Sequence, residues 1–502
     1  MIYSVGNKLG SKLTGIEKAM INRQKLFKEN SIPSKLIFAS WSPRLYLHAS
    51  IFQINTNEIF SIYDLLQESV GIEEKYIDWI NYWKNDCNYT LKFIENTNDI
   101  RIYENNEYRM YVHFIDSNYK RLDYINHFDT HQRKIRRDLY DSRGFLSCKR
   151  ILTINQKIVS EHYYTPKGEM KFEKFFNPEE EKTSTQLIIY NSENDIKHFN
   201  NDQELSAFAI ENLYKEGDIF LSDKNINTAP MFNNTSTNIP VLAVLHSTHI
   251  KNIEEIETSN IKNTYKSLFD NLERFSGLIV STQQQRIDVS KRIKNTIPVT
   301  TIPVGYKNDN SIDDDQSNQT INYNKLISVA RYSPEKQITH QIELISKLVN
   351  EFPNIQLHLY GFGREQEVYK KLIQKYNLEN NVLLRGFLKN LNNEIKDAYI
   401  SLITSNMEGF NLGLLETISE GIPAVGYNSK YGPSELIINE KNGYLVPKND
   451  QEQLYKQVRQ LLLDKELRDQ FSKQCIEHSD NFSSTKVLDL WRELFLSLGI
   501  KI

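Results

Sequence analysis

Cysteine is scarce in this chain: there are three, Cys87, Cys148 and Cys475, and no Cys-x-x-Cys spacing. That excludes a disulfide framework and a zinc knuckle, and reads each one as a buried free thiol. An excess of either charge is equally missing, because 61 Lys and Arg stand against 64 Asp and Glu for a net charge of −3. Without a basic excess there is no global pull toward nucleic acid or an acidic membrane, so no nucleic-acid partner is expected and any anion site is local. No apolar run reaches membrane-spanning length, and Met1-Ile-Tyr-Ser-Val-Gly opens as a strand and glycine loop, not as a charged and then apolar leader. These absences predict a cytoplasmic protein with no integral membrane association. No repeat with a period of about 20 to 50 residues is present either, which excludes solenoids and propellers.

What is present is alternation of strands and helices over 502 residues, enough for two or three cores. Ile2 to Val5 reads as a strand, Gly6 to Leu13 as a loop, Thr14-Gly15 as a helix start and Lys35 to Ser40 as the next strand, the βαβ pattern of a parallel sheet. From about Tyr76 to Asn177 the texture changes to short, alternating, β-branched and aromatic segments separated by Asn-Asp, Asn-Asn-Glu and Pro-Lys-Gly clusters, which predicts an inserted antiparallel meander. The α/β pattern then resumes with Leu187 to Tyr190, Ile219 to Ser222, Val241 to His246, Leu278 to Ser281 and Val299 to Val304 as strands. A polar linker at Asn308 to Asn322 precedes a second α/β domain. The expected domains are residues 1–75 with 178–307, the insertion 76–177 and a second domain 308–483, with a terminal helix over 484–502 that packs back on the first. Two doubly wound domains facing one another leave a cleft at the carboxyl ends of their strands, where ligands bind in such folds.

One stretch carries most of the chemistry. Ser405 to Glu420 follows the apolar run Tyr399 to Ile403; Gly409 and Asn411 permit a tight turn, and Leu412, Leu415 and Ile418 have helical spacing. Asn411 tolerates left-handed backbone better than most residues, so the turn is sound without a glycine there. A helix that starts at such a turn offers unpaired N–H groups and the positive end of its dipole to a phosphate. Glu416, inside the helix, is placed to accept from a ribose diol, and Glu408, on the turn, to face the group beyond the phosphates. Taken alone, the pair serves equally as one solvated loop residue and one exposed helix residue.

Other candidates stand at strand ends. Arg331 and Lys336 follow the first strand of the second domain, where two cations five positions apart reach two phosphates. Thr14 and Gly15 open the first helix, and a side chain at Gly15 would block close approach of a phosphate. His246 and His249 close the strand that begins at Val241. Their H-x-x-H spacing raises a metal, but no carboxylate or cysteine lies nearby in sequence, so no metal is expected. Gly361 lets backbone approach a ligand, and Arg385-Gly386-Phe387 ends a strand whose backbone can pair with a base edge. Asp313 to Asp315 imitate a metal-binding D-x-D but sit in the polar linker, and Gly361-Phe-Gly363 is too short for a dinucleotide fingerprint. Arg133, Lys134, Arg136 and Arg137 form a cationic run in the insertion, as suited to aspartates of an acceptor as to solvent or a subunit contact.

Glu408-Gly-Phe-Asn-Leu-Gly-Leu-Leu-Glu416 resembles the E-x7-E signature of retaining GT-B glycosyltransferases of the GT4 type, with Asn411 in place of that family's second glycine. Arg331 and Lys336 match its R-x4-K diphosphate clamp, His249 its strand-end histidine, and Thr14-Gly15 the loop that faces the diphosphate. The insertion narrows the resemblance to the Gram-positive adhesin-glycosylating subgroup. Tyr3-Ser-Val-Gly-Asn-Lys-Leu-Gly-Ser-Lys-Leu-Thr-Gly-Ile-Glu-Lys-Ala is most similar to its serine-aspartate-repeat enzymes. The resemblance implies a GT-B fold and a metal-independent hexosyltransferase without a cofactor, using UDP-GlcNAc as donor and serine hydroxyls of an acidic serine-aspartate-repeat polypeptide as acceptors. It places His249, Glu408, Arg331 and Lys336 in catalysis. It places Thr14, Gly15, His246, Gly361, Arg385, Gly386, Phe387, Gly409, Phe410, Asn411, Leu412, Gly413 and Glu416 around the donor. Self-association through the β insertion is a further expectation. The rival readings are the same donor chemistry on wall teichoic acid or another polymer, and a GT-B chaperone or acceptor-binding subunit without activity.

Overall fold

The protein is described by a computed structural model over residues 1–180, 183–192, 195–309, 320–388 and 391–500. Its chain divides into two units, Met1–Leu13 with Pro33–Val241, and Thr14–Ile32 with Leu242–Ile502. In the first unit, β1 (Ile2–Gly6), β2 (Ser34–Phe38) and β3 (Ile59–Ser61) run parallel in sequence order. β14 (Ile219–Ser222) pairs in parallel with the other side of β1. Every residue of β1 and β14 is buried, as a strand covered on both faces requires.

Ten antiparallel strands, β4 (Thr90–Phe93) to β13 (Asp195–Phe199), form a separate sheet in sequence order. Between the strands Asp99–Glu104 and Glu107–Phe114 the chain reverses through the polar pair Asn105-Asn106, whose φ of 49° and 66° give the left-handed backbone of a two-residue hairpin turn. Trp83, Ile100, Ile102, Val112 and Phe114 build a core at its early end. The segment Leu187 to Tyr190, expected in the parallel sheet, belongs here as part of β12 (Ser184–Ser192), paired antiparallel on both sides. Its apolar run imitates a strand covered on both faces, yet Leu187 and Ile189 are buried while Ile188 and Tyr190 are half-buried, the period-two pattern of a one-sided sheet.

The second unit opens with the helix Gly15–Glu29 and holds the parallel strands β15 (Val241–Val244), β16 (Gly277–Val280) and β17 (Val299–Thr301). Six further parallel strands follow: β18 (Lys325–Val329), β19 (Gln356–Tyr360), β20 (Val382–Gly386), β21 (Ile400–Ile403), β22 (Ala424–Tyr427) and β23 (Gly443–Val446). Their order is β20-β19-β18-β21-β22-β23, the doubly wound arrangement whose direction of winding reverses between β18 and β21. Ligands bind such sheets at that reversal, beyond the carboxyl ends of the two strands. The helix Ile338–Leu348 seals one face through Ile338, Ile342, Ile345 and Leu348 against Leu326, Leu357 and Leu402.

The C-terminal helix Ser484–Ser497 packs on Gly15–Glu29, with the Phe27 ring edge-on to Trp491 at 5.4 Å and to Phe495 at 5.9 Å. Cys148 and Cys475 are buried thiols as expected, whereas Cys87 is half-buried.

Candidate active site

Two loops leave the carboxyl ends of β18 and β21 at the winding reversal. The first carries Arg331 and a short turn, Pro334–Lys336, before the helix Ile338–Leu348. The second carries Ser405 to Asn411 before the helix Leu412–Ser419. They meet at one carboxylate. Lys336 Nζ lies 2.6 Å from Glu408 Oε1, and both side chains are nearly buried, at 12% and 9% exposure. The same oxygen accepts from Ser405 Oγ at 2.7 Å and from Asn411 Nδ2 at 3.1 Å. Three donors on one oxygen fix the Glu408 rotamer and compensate its burial.

Asn411 has φ 78° and ψ 79°, the left-handed backbone the turn demands, and its Oδ1 caps the helix by accepting from Leu414 N at 3.0 Å. Gly409 has a different task. A Cβ there would stand 2.3 Å from the His246 carbonyl oxygen, so only glycine lets this turn abut the end of β15. Gly413 lies as close to β18, where a Cβ would meet the Val329 carbonyl at 2.8 Å. The Phe410 ring is buried edge-on to Phe482 at 5.6 Å, so its side chain supports the turn from behind. Leu412 opens the helix and packs beside Gly305.

Glu416, one turn into that helix, forms an ion pair with Lys18 of the first helix through Oε1, while its Oε2 is buried with no hydrogen-bond partner among the described residues. Thr14 and Gly15 stand one turn before Lys18. Thr14 donates its N–H to the Glu17 carboxylate at 3.1 Å and its hydroxyl to the same group, and a Cβ at Gly15 would meet nothing within 4 Å beyond its chain neighbours and its own helix backbone.

Beyond β15 the chain runs through His246, Ser247 and Thr248 to His249, which is fully buried. Its ring stacks on Phe269 at 5.8 Å, and neither ring nitrogen has a hydrogen-bond partner among the described residues. Burial drives its pKa down to about 4, helped by the Arg292, Lys262 and Lys430 cations and opposed by Asp288. A neutral imidazole at physiological pH offers one N–H donor and one ring-nitrogen acceptor. The two sides of this site are tied directly. Lys430 Nζ lies 3.2 Å from Asp288, and the Lys430 carbonyl accepts from Glu408 N at 2.9 Å.

Lys336, Glu408, Asn411, Gly409 and the end of β15 therefore converge, with His249 two residues beyond Ser247. Arg331 does not join them: it is 56% exposed and pairs with Glu335 at 2.9 Å. Gly361 follows β19, where a Cβ would collide with the Ala330 carbonyl. Arg385, 45% exposed, lies 3.8 Å from Glu394; Gly386 follows it, and Phe387 stands edge-on to Phe362 at 5.7 Å. Asp313 to Asp315 lie outside the described residues. No cluster of three or more His, Cys, Asp or Glu side chains suits a metal ion, and no helix is long and apolar enough to cross a membrane, among the described residues.

In the other unit, the cationic run is partly spent within its own sheet. Arg133 pairs with Asp129 at 2.6 Å and Arg136 with Asp138 at 2.9 Å. Arg137 donates to Asn126 at 2.7 Å and covers the Tyr124 ring. Lys134 has its pKa lowered by burial and by Arg137 and Arg150, so these cations crowd one another.

Four residues of the site escaped the sequence reading: Lys18, Lys262, Asp288 and Lys430. A lysine three residues after Thr14-Gly15 and the Ser-Lys-Tyr-Gly-Pro run after β22 were local signals for two of them. Nothing local marks the others.

Residues 309–478 match the family described as glycosyl transferases group 1. Over 519 residues the chain is 24% identical to the poly(ribitol-phosphate) alpha-N-acetylglucosaminyltransferase of Staphylococcus aureus, covering 99% of both. It is 24% identical to the poly(glycerol-phosphate) alpha-glucosyltransferase of Bacillus subtilis over 97% of this chain and 74% of the other. It is 25% identical to the GtfA subunit of the UDP-N-acetylglucosamine–peptide N-acetylglucosaminyltransferase of Streptococcus agalactiae, over 89% and 88%. The crystal structure of the pneumococcal O-GlcNAc transferase GtfA in complex with UDP and GlcNAc superposes with a TM-score of 0.85 at 19% identity, over 100% and 99% of the two chains.

Proposed function

We propose that this chain, which has the GT-B fold and whose residues 309–478 match the glycosyl transferases group 1 family, moves N-acetylglucosamine from UDP-GlcNAc to serine hydroxyls of an acidic serine-aspartate-repeat polypeptide, retaining the anomeric configuration. The observation that carries the reading is the junction of Lys336, Glu408 and the amino end of helix Leu412–Ser419 at the winding reversal of the second sheet. An ammonium and free helix N–H groups suit a departing diphosphate. In the reaction the bond from the anomeric carbon to the β-phosphate oxygen breaks and a bond from that carbon to the serine Oγ forms. The serine proton passes to the departing phosphate, and UDP leaves. Attack occurs on the face the diphosphate vacates, with Lys336 and the helix amides stabilising its charge, and Arg331 adding its own only by leaving the Glu335 pair. Glu416 holds the ribose, and Thr14 and Gly15 face the diphosphate. His249 is neutral and fully buried against Phe269, so it reaches the sugar only if its loop opens as the donor binds. No metal or cofactor is required for any of these steps, and the proposed place of work is the cytoplasm.

A second reading keeps the donor and changes the acceptor to a polyol-phosphate polymer, and similarity over nearly the whole chain to the poly(ribitol-phosphate) enzyme favours it. Purified protein incubated with UDP-GlcNAc or UDP-glucose, and with either a serine-aspartate peptide or poly(ribitol phosphate), separates the two by mass. A hexosamine increment on the peptide alone is the expected result. Increments on the polymer alone exclude the peptide reading, and none on either acceptor excludes both.

A further inference from the structure

Lys262 stands beside the Glu408 turn, and among the described residues no carboxylate forms an ion pair with it. Its backbone N–H donates to the His249 carbonyl at 2.9 Å, which anchors the residue to the strand-end loop. Its side chain turns toward the second sheet and ends between the Thr248 hydroxyl and the Met407 sulfur, 3.0 Å from the latter. Met407 immediately precedes Glu408, so the ammonium sits where the histidine loop meets the Glu408 turn. An ammonium has three N–H donors, and a thioether is a weak acceptor. Glu335 acts on it through space, but Glu335 is already ion-paired to Arg331 at 2.9 Å. Burial lowers the Lys262 pKa, as a desolvated cation without a close anion must show.

A half-buried cation held this way costs desolvation that its protein neighbours repay poorly. We propose that Lys262 is a specificity-determining residue which binds an anionic group of the acceptor, the carboxylate of an aspartate next to the target serine. The inference rests on the transfer reaction proposed above and adds the acceptor contact. In the transfer reaction proposed above the donor diphosphate is met by Lys336 and the amino end of the Leu412 helix, whereas the histidine loop supplies no other lysine or arginine beside Glu408. An aspartate beside the serine would bring its carboxylate to Lys262 while the hydroxyl meets the anomeric carbon. The selectivity for acidic repeats then arises at the reacting centre itself.

The test compares wild type, Lys262→Met and Lys262→Arg on three acceptors: a serine-aspartate peptide, the same peptide with asparagine for every aspartate, and poly(ribitol phosphate). Donor affinity is followed by UDP titration. Lys262→Met keeps the length and packing of the stem. The expected result is a KM for the acidic peptide raised about tenfold or more, no change for the asparagine peptide, unchanged UDP binding, and substantial recovery in Lys262→Arg. A KM effect confined to poly(ribitol phosphate) overturns the carboxylate assignment in favour of a phosphate. Weakened UDP binding places Lys262 on the donor, and equal losses on the acidic and neutral peptides make it structural; either overturns the proposal. Wild type that modifies no acceptor marks failure of the transfer reading, whereas active wild type with an unaltered Lys262→Met marks failure of this inference alone.

Discussion

Lys336 Nζ and Glu408 Oε1, brought from the ends of two adjacent strands, stand 2.6 Å apart with both side chains almost out of water. A buried ion pair contributes little net stability, but breaking it leaves an uncompensated charge, which costs about 3–5 kcal/mol. Lys336→Met should therefore lose both turnover and stability, because Glu408 keeps only the Ser405 hydroxyl and the Asn411 amide. Turnover should fall about a hundredfold to a thousandfold, as when another preorganised donor to a developing anion is removed. The double variant Lys336→Met with Glu408→Gln should regain most of the urea midpoint and none of the activity. If the double variant is as unstable as the single one, the pair is not what holds the two loops together.

His249 links the site to pH. Its ordinary pKa is 6.5, and in the fold burial holds it at about 4. Between those values the unfolded chain carries a proton that the folded chain refuses, so stability is full above 6.5 and is lost as pH falls toward 4. At about 1.4 kcal/mol per pKa unit the complete difference is about 3 kcal/mol. Urea unfolding of wild type and His249→Phe at about pH 4.5 and about pH 7 measures it. Phenylalanine keeps the stack on Phe269 and cannot take the proton, so the variant should lose less stability on acidification. An identical pH slope in both proteins would assign the acid sensitivity elsewhere.

How much of this could be read in the sequence follows from how local each signal is. The turn at Ser405 to Asn411 was legible because a glycine, an asparagine suited to left-handed backbone and helical spacing from Leu412 all lie within one short stretch. The strands before Arg331 and His249 were legible from their apolar runs, but not that Arg331 turns out to Glu335 and away from Glu408. The edge of the meander was not, because Leu187 to Tyr190 differs from a parallel strand only in which residues are covered, and neighbours decide that. Nor was the Lys18 to Glu416 pair, whose partners lie at opposite ends of the chain. Lys262 sits in a stretch without a motif, and its meaning comes entirely from Thr248 and Met407 around it.

Asn411 performs two tasks that substitutions separate. Its φ of 78° suits glycine as well, but its side chain also caps Leu414 and donates to Glu408. Asn411→Gly should lose only a few tenths of a kcal/mol from the cap and retain most activity. Asn411→Ala loses the cap, about 1 kcal/mol, and adds the left-handed penalty of about 1–2 kcal/mol. Thermal melts should order the three proteins wild type, glycine, alanine. An alanine variant as stable as the glycine variant would mean the backbone at this turn relaxes freely.

Gly15 and Gly409 give opposite expectations for the same alanine substitution. At Gly409 the new methyl group meets the His246 carbonyl at 2.3 Å, so Gly409→Ala must push the turn away from β15 and should lower both the melting temperature and turnover. At Gly15 a Cβ would meet nothing within 4 Å beyond its chain neighbours and its own helix backbone, and alanine is the better residue in a helix, so folding should be unharmed or slightly stabilised. If the open space before the Gly15–Glu29 helix is where the donor diphosphate lies, Gly15→Ala should still weaken UDP binding by about tenfold, from the loss of close approach. Isothermal titration with UDP beside a thermal melt separates the cases. A variant that melts like wild type and binds UDP weakly puts the diphosphate against Gly15, while unchanged binding moves it off that loop and leaves Lys336, Arg331 and the Leu412 helix to hold it without help from the first helix.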